Sequence, residues 1–340
     1  MKTKLHLIAP FTIAVLAGSF VVTEYARAAV SNVYWTDRDN ATLSVTAIGG
    51  GTTQLASGFS RLQDVDLDLN TNTLYFTDWG PVGPPGGQGT INRIQTNGSG
   101  LSTVLNTGDA VHQVELDPAN SRLYFTRAVS YDNREISRVD YSGANYTVLQ
   151  QGTNTNPWGW FQSALALDSA NGLLYWGDIG IISNPPDGSV NVMNINGSSP
   201  TQLTPHVNGR GRAFAMDAAS QTIFLTAHDP VTPSANGEIF AYDIVNNTET
   251  TIVPNNPTSG YWDIQIDPYS QRIWWTAYSL GQVLSSKFDG SDIQVELTGL
   301  SNPYGLALEF VPEPSSFVLV AIGLSATVAL GRRRRRKHAL

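Results

Sequence analysis

Apolar residues alternate with polar ones in five short runs of this chain, and every run ends on an aspartate. Val65 and Leu67 lead to Asp68, Val114 and Leu116 to Asp117, Leu165 and Leu167 to Asp168, Phe214 and Met216 to Asp217, and Ile264 and Ile266 to Asp267. A period of two puts such side chains on one face of a β-strand. Turn chemistry follows each acid, as in Asp117-Pro118-Ala119-Asn120 and Asp267-Pro268-Tyr269-Ser270. There proline presets φ, and short polar side chains bond to the local backbone. Seven residues after each acid stands an aromatic anchor, at Tyr75, Tyr124, Tyr175, Phe224 and Trp274. The pattern predicts strand, tight turn, strand, five times over.

A sixth anchor opens Tyr34-Trp35-Thr36-Asp37, and successive anchors are 41, 49, 51, 49 and 50 residues apart. Self-similarity at such a period marks a repeat architecture. After each anchor come a loop rich in Gly, Pro and Asn, a strand such as Ile91–Gln95 or Ile136–Asp140, a turn, and a strand such as Ser102–Leu105 or Tyr146–Leu149. Four strands per repeat predict an all-β fold, a six-bladed β-propeller of four-stranded antiparallel blades. The two ends complement each other. Tyr34 has no acid-ended strand before it, whereas Tyr304–Glu309, with Leu306 and Leu308 before Glu309, has no anchor after it. This strand is expected to complete the blade begun at Val33 and to close the ring.

These motifs resemble the YWTD-type propeller, the class B repeat of low-density lipoprotein receptors, over roughly residues 33–310. Tyr34-Trp35-Thr36-Asp37 matches the family motif fully, Tyr75-Phe76-Thr77-Asp78 closely, and Tyr175-Trp176-Gly177-Asp178 without the Thr. Arg127, Ala227 and Ala277 replace the motif Asp in three repeats. The resemblance implies structural roles for the motif residues.

Both ends carry export chemistry. Lys2 and Lys4, an apolar stretch from Leu7 to Val22, and Ala26-Arg27-Ala28 form a signal-peptide pattern over residues 1–28, so the mature chain is expected to start at Ala29. Residues 29–310 form the propeller, and 311–340 form a three-part tail. The tail has Pro312-Glu313-Pro314, a 15-residue apolar run from Phe317 to Gly331, and the basic cluster Arg332, Arg333, Arg334, Arg335, Arg336 and Lys337. A comfortable helical span needs about 20 apolar residues, so the run suits a transient membrane signal, and the basic cluster fixes its cytoplasmic side. The tail resembles the PEP-CTERM sorting signal of Gram-negative bacteria. That resemblance implies an exosortase as processing partner, cleavage near Pro-Glu-Pro, transient anchoring in the inner membrane, and transfer to the cell surface or extracellular polysaccharide matrix.

Composition narrows the function. With no cysteine, disulfides, thiolate metal sites and cysteine nucleophiles are excluded. Setting aside Lys2, Lys4, Arg27 and the six C-terminal basic residues, and with them Glu24 and Glu313, leaves 11 basic against 26 acidic residues, a formal net of −15. Such a domain has no general field for nucleic acid or an anionic membrane.

Five residues before each strand-ending acid the repeats place Gln63, His112, Ser163, Arg212, Trp262 and Tyr304, which the symmetry gathers around the channel mouth. With Trp158, Trp160, Arg210 and Tyr261 nearby, the mouth offers faces for stacking sugars and polar groups for orienting them. The candidate ligand-binding set is therefore His112, Trp158, Trp160, Arg210, Arg212, Tyr261, Trp262 and Tyr304. Surface proteins are the other class of partner, and a purely structural role is a third reading. Some six-bladed propellers are metal-dependent lactonases, which makes a hydrolase the enzymatic alternative. One position further along, however, the strands hold Asp64, Gln113, Ala164, Ala213, Asp263 and Gly305. Two carboxylates and one amide are few against the 6–8 oxygens that calcium takes. Asp64 and Asp263 are thus weak metal candidates. No GxSxG elbow, HExxH pair or phosphate-cradling loop occurs. The expectation is a non-enzymatic binding module without a cofactor.

Overall fold

A computed structural model describes residues 29–81, 87–130, 133–153, 162–178, 188–207, 210–228, 237–256 and 258–311, with backbone alone at 153, 162–163, 178, 188, 205–207, 210 and 228. The described residues lie in one unit, Ala28–Pro312.

The alternating runs are strands. β1 (Ala29–Asp37), β2 (Thr42–Ala47) and β3 (Thr52–Ala56) begin the first sheet. The second is β4 (Leu62–Asp68), β5 (Thr73–Asp78), β6 (Thr90–Gln95) and β7 (Ser102–Asn106). The third is β8 (Ala110–Asp117), β9 (Arg122–Ala128), β10 (Asn133–Asp140) and β11 (Thr147–Thr153), and the fourth β12 (Gln162–Asp168), β13 (Leu173–Asp178), β14 (Gly188–Asn194) and β15 (Thr201–Val207). The fifth is β16 (Arg210–Asp217), β17 (Thr222–His228), β18 (Gly237–Asp243) and β19 (Thr248–Asn256). The sixth is β20 (Tyr261–Asp267), β21 (Arg272–Ala277), β22 (Gln282–Lys287) and β23 (Gln294–Leu297). Last comes β24 (Pro303–Val311), which joins the first sheet in the order β24-β1-β2-β3. The protein is an all-β, six-bladed propeller, closed by pairing its first and last described strands.

Closure is longer than the apolar pattern alone predicts. β1 starts at Ala29 rather than Val33, and its register with β24 runs from Ala29 opposite Val311 to Asp37 opposite Pro303. Glu309 occupies the strand-ending acid position and bonds across the seam, accepting from Asn32 Nδ2 at 2.7 Å and Tyr34 Oη at 2.9 Å. The five aspartates instead cap their own turns, Asp68 accepting from Asn70 N at 2.9 Å and Asp267 from Tyr269 N at 2.9 Å.

The core is a set of wedges between neighbouring blades. Consecutive motif residues point to opposite sheet faces. Tyr34 therefore packs forward against Leu62, Val65 and Phe76 of the next blade, and Phe76 points back into that same wedge. Tyr75 packs forward with Val111, Val114 and Phe125. The last wedge, Trp274 and Val283 against Val33, Leu306 and Leu308, joins the sixth blade to the first. Truncating a fully buried ring such as Phe76 or Trp275 to alanine costs about 3–5 kcal/mol.

The motif threonine joins blades in a second way. Thr77 Oγ1 accepts from Asp64 N at 3.1 Å in its own blade and donates to the His112 carbonyl of the next at 2.5 Å. Thr36, Thr226 and Thr276 reach Gln63, Trp262 and Tyr304 in the same way. The carbonyls they hold belong to the expected mouth positions, so the motif fixes the floor of the site.

Candidate functional site at the channel mouth

The inner strands β24, β4, β8, β12, β16 and β20 begin at one end of the ring, where the loops after β1, β5 and β21 also lie. Arg212 stacks its guanidinium carbon 3.4 Å from the centroid of the Trp262 ring. Trp262 and Tyr304 lie with centroids 4.3 Å apart at 30°. Arg38, from the loop after β1, covers the other side, 5.2 Å from the Tyr304 ring and 5.9 Å from Trp262. Tyr278 meets both rings edge-on at 5.9 and 6.1 Å. Its hydroxyl donates to Asp39 Oδ2 at 2.5 Å, and burial followed by that bond pushes its pKa up to about 12.

On the opposite side of the mouth Trp79 meets His112 edge-on at 4.3 Å, and Arg61 sits 5.9 Å from the Trp79 ring. The His112 imidazole is held well below its usual range, first by burial and then by Arg134, Arg212 and Arg38. It is therefore neutral at physiological pH. Four of the 11 basic side chains of the expected mature region converge on one opening of an acidic molecule.

Carboxyl groups line the strands below this rim. Asp64, Asp66, Glu115 and Asp263 stand one to three residues further along their strands, about 3–10 Å deeper at the rise of a strand. Burial raises all four pKa values, to about 6 for Asp66 and about 7 for Asp263, and well above the usual range for Asp64 and Glu115. Asp64 and Asp263 are close enough to interact, so burial first and then their mutual influence disfavour two charges. Only glycine fits at Gly305, where a Cβ would lie 2.7 Å from Asp64 Cα and Gln63 O.

The same carboxyls cap exposed edges of the inner strands. Asp64 Oδ1 accepts from Val65 N at 2.8 Å and Oδ2 from Val114 N at 2.9 Å. Asp263 Oδ1 accepts from Ile264 N at 2.8 Å and Oδ2 from Leu306 N at 2.6 Å. Gln113 Oε1 does the same for Leu165 N at 2.7 Å. Each carboxyl oxygen of the Asp64–Asp263 pair thus accepts from a backbone N–H. Among the described residues no three His, Asp or Glu side chains form a metal-binding group.

Of the residues singled out in the sequence, His112, Arg212, Trp262 and Tyr304 meet at the mouth. Tyr261 does not: it is 3% exposed in the wedge between the fifth and sixth blades, its ring 5.7 Å from Trp275 and its hydroxyl accepting from Asn256 Nδ2. Trp158, Trp160, the Arg210 side chain, and the tail with Pro312, Glu313, Pro314 and Arg332–Arg336 lie outside the described residues. The expected stacking of sugars on Trp262 meets an obstacle, because Arg212 and Tyr304 already cover its ring. Sequence reasoning missed Arg38, Trp79 and Tyr278. All three stand one residue after the fourth motif position, at equivalent points of three repeats, so the repeat phase would have found them.

Residues 310–336 match the PEP-CTERM protein-sorting motif. In fold, the chain is similar to a structure from a nidogen/laminin complex, at 13% identity and TM-score 0.64, with 82% of this chain and 97% of that one covered. It is similar also to TolB from Acinetobacter baumannii, at 12% identity and TM-score 0.61, with 82% and 66% covered. The motif is an exosortase substrate signal. The chain is accordingly an exported propeller, anchored transiently in a membrane and displayed at the surface. No described helix is long and apolar enough to cross a membrane, and the apolar run 317–331 lies outside the described residues.

Proposed function

We propose that this protein is a non-enzymatic binding module of the Gram-negative cell surface or extracellular matrix, and that its channel mouth binds extracellular polysaccharide. The observation that carries this reading is the gathering of Arg38, Arg61, Arg134, Arg212, His112, Trp79, Trp262 and Tyr304 at one opening of a strongly acidic ring. The sorting motif supports it by delivering the ring to where such polymers lie. Motif threonines from neighbouring blades hold the rim backbone, which supplies a rigid frame for recognition.

Pull-down of the detergent-solubilised full chain against an array of extracellular polysaccharides tests this. Capture of a polymer, weakened at least tenfold by Trp262→Ala with Arg212→Ala, is the expected result. Capture unaffected by those changes would move the site elsewhere, and capture of surface proteins alone would replace the glycan with a protein partner.

A further inference from the structure

We infer that a pocket at the end of the ring opposite the mouth, between the second and third blades, binds a neutral sugar residue, whatever the mouth itself takes. The pocket has a volume of about 410 Å³, against roughly 300–1,000 Å³ for small-molecule sites. Thr73 and Tyr75 of β5 stand opposite Gln95 and Arg93 of β6, so all four side chains leave the same face of the second blade. Tyr141, on the turn after β10, closes the pocket from the third blade.

The opening comes from short side chains where sister blades have long ones. Thr73 is the first residue of the second strand in its blade, as Arg122 and Arg272 are in the third and sixth. Gly100, at φ 71°, holds the left-handed position in the turn between the third and fourth strands, as Asn145 (57°) and Asp292 (55°) do in those blades. There the long side chains bridge the gap. Arg272 reaches Asp292 at 2.8 Å, and Arg122 reaches Asp140 at 3.6 Å, which accepts from Asn145 Nδ2 at 2.6 Å. Threonine and glycine are too short for such a bridge, and the face of the second blade stays open. The pocket is also preformed. Gly143 seats the Tyr141 turn against β7, where a Cβ would lie 2.3 Å from Val104 O, and Tyr141 stacks on Tyr75 with centroids 4.5 Å apart at 31°.

Chemistry on the walls selects the ligand. Arg93 is exposed, and it donates to Ser102 Oγ at 3.1 Å and Tyr141 O at 3.5 Å and reaches the Tyr75 hydroxyl. These contacts fix the guanidinium and engage three of its five N–H groups, so the others serve a ligand. Thr71 is exposed as well, and because its hydroxyl donates to Asp68 Oδ2 at 2.9 Å, its oxygen offers only lone pairs to the pocket. The walls thus present a donor and an acceptor beside a partly exposed tyrosine ring. A sugar matches all three, since its hydroxyls both accept and donate and its apolar C–H face packs on an aromatic ring. A carboxylate or sulfate only accepts, leaves Thr71 unmatched and meets Asp68 behind it. The acidic net charge of the domain opposes such an anion further.

Saturation-transfer NMR followed by calorimetric titration tests this on the full chain in a sugar-free detergent, with maltose, cellobiose and N-acetylglucosamine as probes and sulfate as the anionic control. At least one sugar is expected to bind, and sulfate is not. Affinity should fall tenfold or more in Thr73→Arg with Gly100→Asp, which transplants the bridge of the sixth blade, and in Arg93→Met. Tyr141→Ile should do the same; it installs the side chain that Ile195 carries at the equivalent turn of the fourth blade. Should the transplanted bridge prevent folding, Gly100→Asn narrows the opening alone, in a backbone conformation that Asn145 already adopts. Trp262→Ala with Arg212→Ala, at the mouth, should leave sugar affinity unchanged. Absence of binding by every sugar, or binding that survives the filling variants in a protein melting as wild type, would overturn the site. Sulfate bound with the same dependence on Arg93 would overturn the sugar assignment. Sugar binding abolished at the mouth and untouched by the pocket variants would overturn the pocket while leaving the polysaccharide reading of the mouth standing.

Discussion

At the scale of single residues, the motif threonine separates two kinds of conservatism. Thr276 is fully buried, accepts from Asp263 N at 3.1 Å and donates to Tyr304 O at 2.8 Å. Thr276→Val keeps the shape and strands both backbone groups, so a loss of about 1–3 kcal/mol is expected in urea unfolding. In the fourth blade the motif has Gly177 instead, and restoring threonine there looks like an improvement in sequence. It is not one in space, because a Cβ on Gly177 would lie 2.8 Å from Phe214 Cζ and 3.0 Å from Ala164 Cβ. Gly177→Thr should destabilise by about 1–3 kcal/mol through overpacking. A gain in unfolding midpoint from Gly177→Thr would contradict the packing of that wedge. Arg127 shows a third outcome. Where Asp78 accepts from Ser60 N, Arg61 N and Gly80 N, Arg127 donates to Thr107 O at 3.1 Å and pairs with Glu135 at 2.7 Å, so the polarity of the site is reversed and still satisfied.

Among the elements, β24 carries the most. It supplies the inner strand of the first blade, half of the wedge between the sixth blade and the first, and the Glu309 bonds to Asn32 and Tyr34. Its partner is more than 270 residues away, so nothing local compensates for its loss. Deleting Pro303–Val311 should leave a ring with an open edge, which broadens or abolishes the cooperative thermal transition and promotes aggregation. A sharp transition at the original temperature would refute this role. The sorting motif begins at residue 310, inside β24, where Phe310 and Val311 pair with Val30 and Ala29. Processing that spared Val311 would leave the closure intact, whereas trimming upstream would remove these pairs.

For the whole molecule, the carboxyl layer gives stability a pH dependence opposite to the common acid-denaturation pattern. Asp66 and Asp263 have folded pKa values near 6 and 7, and burial raises Asp64 and Glu115 as well. Raised acids bind protons more tightly in the folded state. Their stabilisation is thus full below the unfolded value near 4 and is lost as pH rises through about 7. Each tenfold change in proton affinity is worth about 1.4 kcal/mol, so the loss between pH 5 and pH 8 should reach a few kcal/mol. Melting temperatures measured across that range should fall with pH, and Asp66→Asn should flatten the slope. A melting temperature that rises over the same interval would be incompatible with a protonated channel.

The chain by itself determined the repeat, the four strands of each blade, the need for ring closure and the export signals, because each is written in local spacing: period-two alternation, acids seven residues before an aromatic, turn residues between them. It also placed His112, Arg212, Trp262 and Tyr304 together, since symmetry turns equal repeat positions into neighbours. What only the tertiary structure decided is how side chains from different repeats divide the space. Tyr261 and Trp262 are adjacent in sequence, and the pleat of β20 sends one into a wedge and the other to the mouth. Arg61 and Arg134 lie off the phase that marks Arg38, so no spacing of the repeat announces their meeting with it. Likewise the close approach of β24 to β4 at Asp64 depends on the missing Cβ of Gly305. Local pattern fixes which face a residue takes, and long-range packing fixes what it meets there.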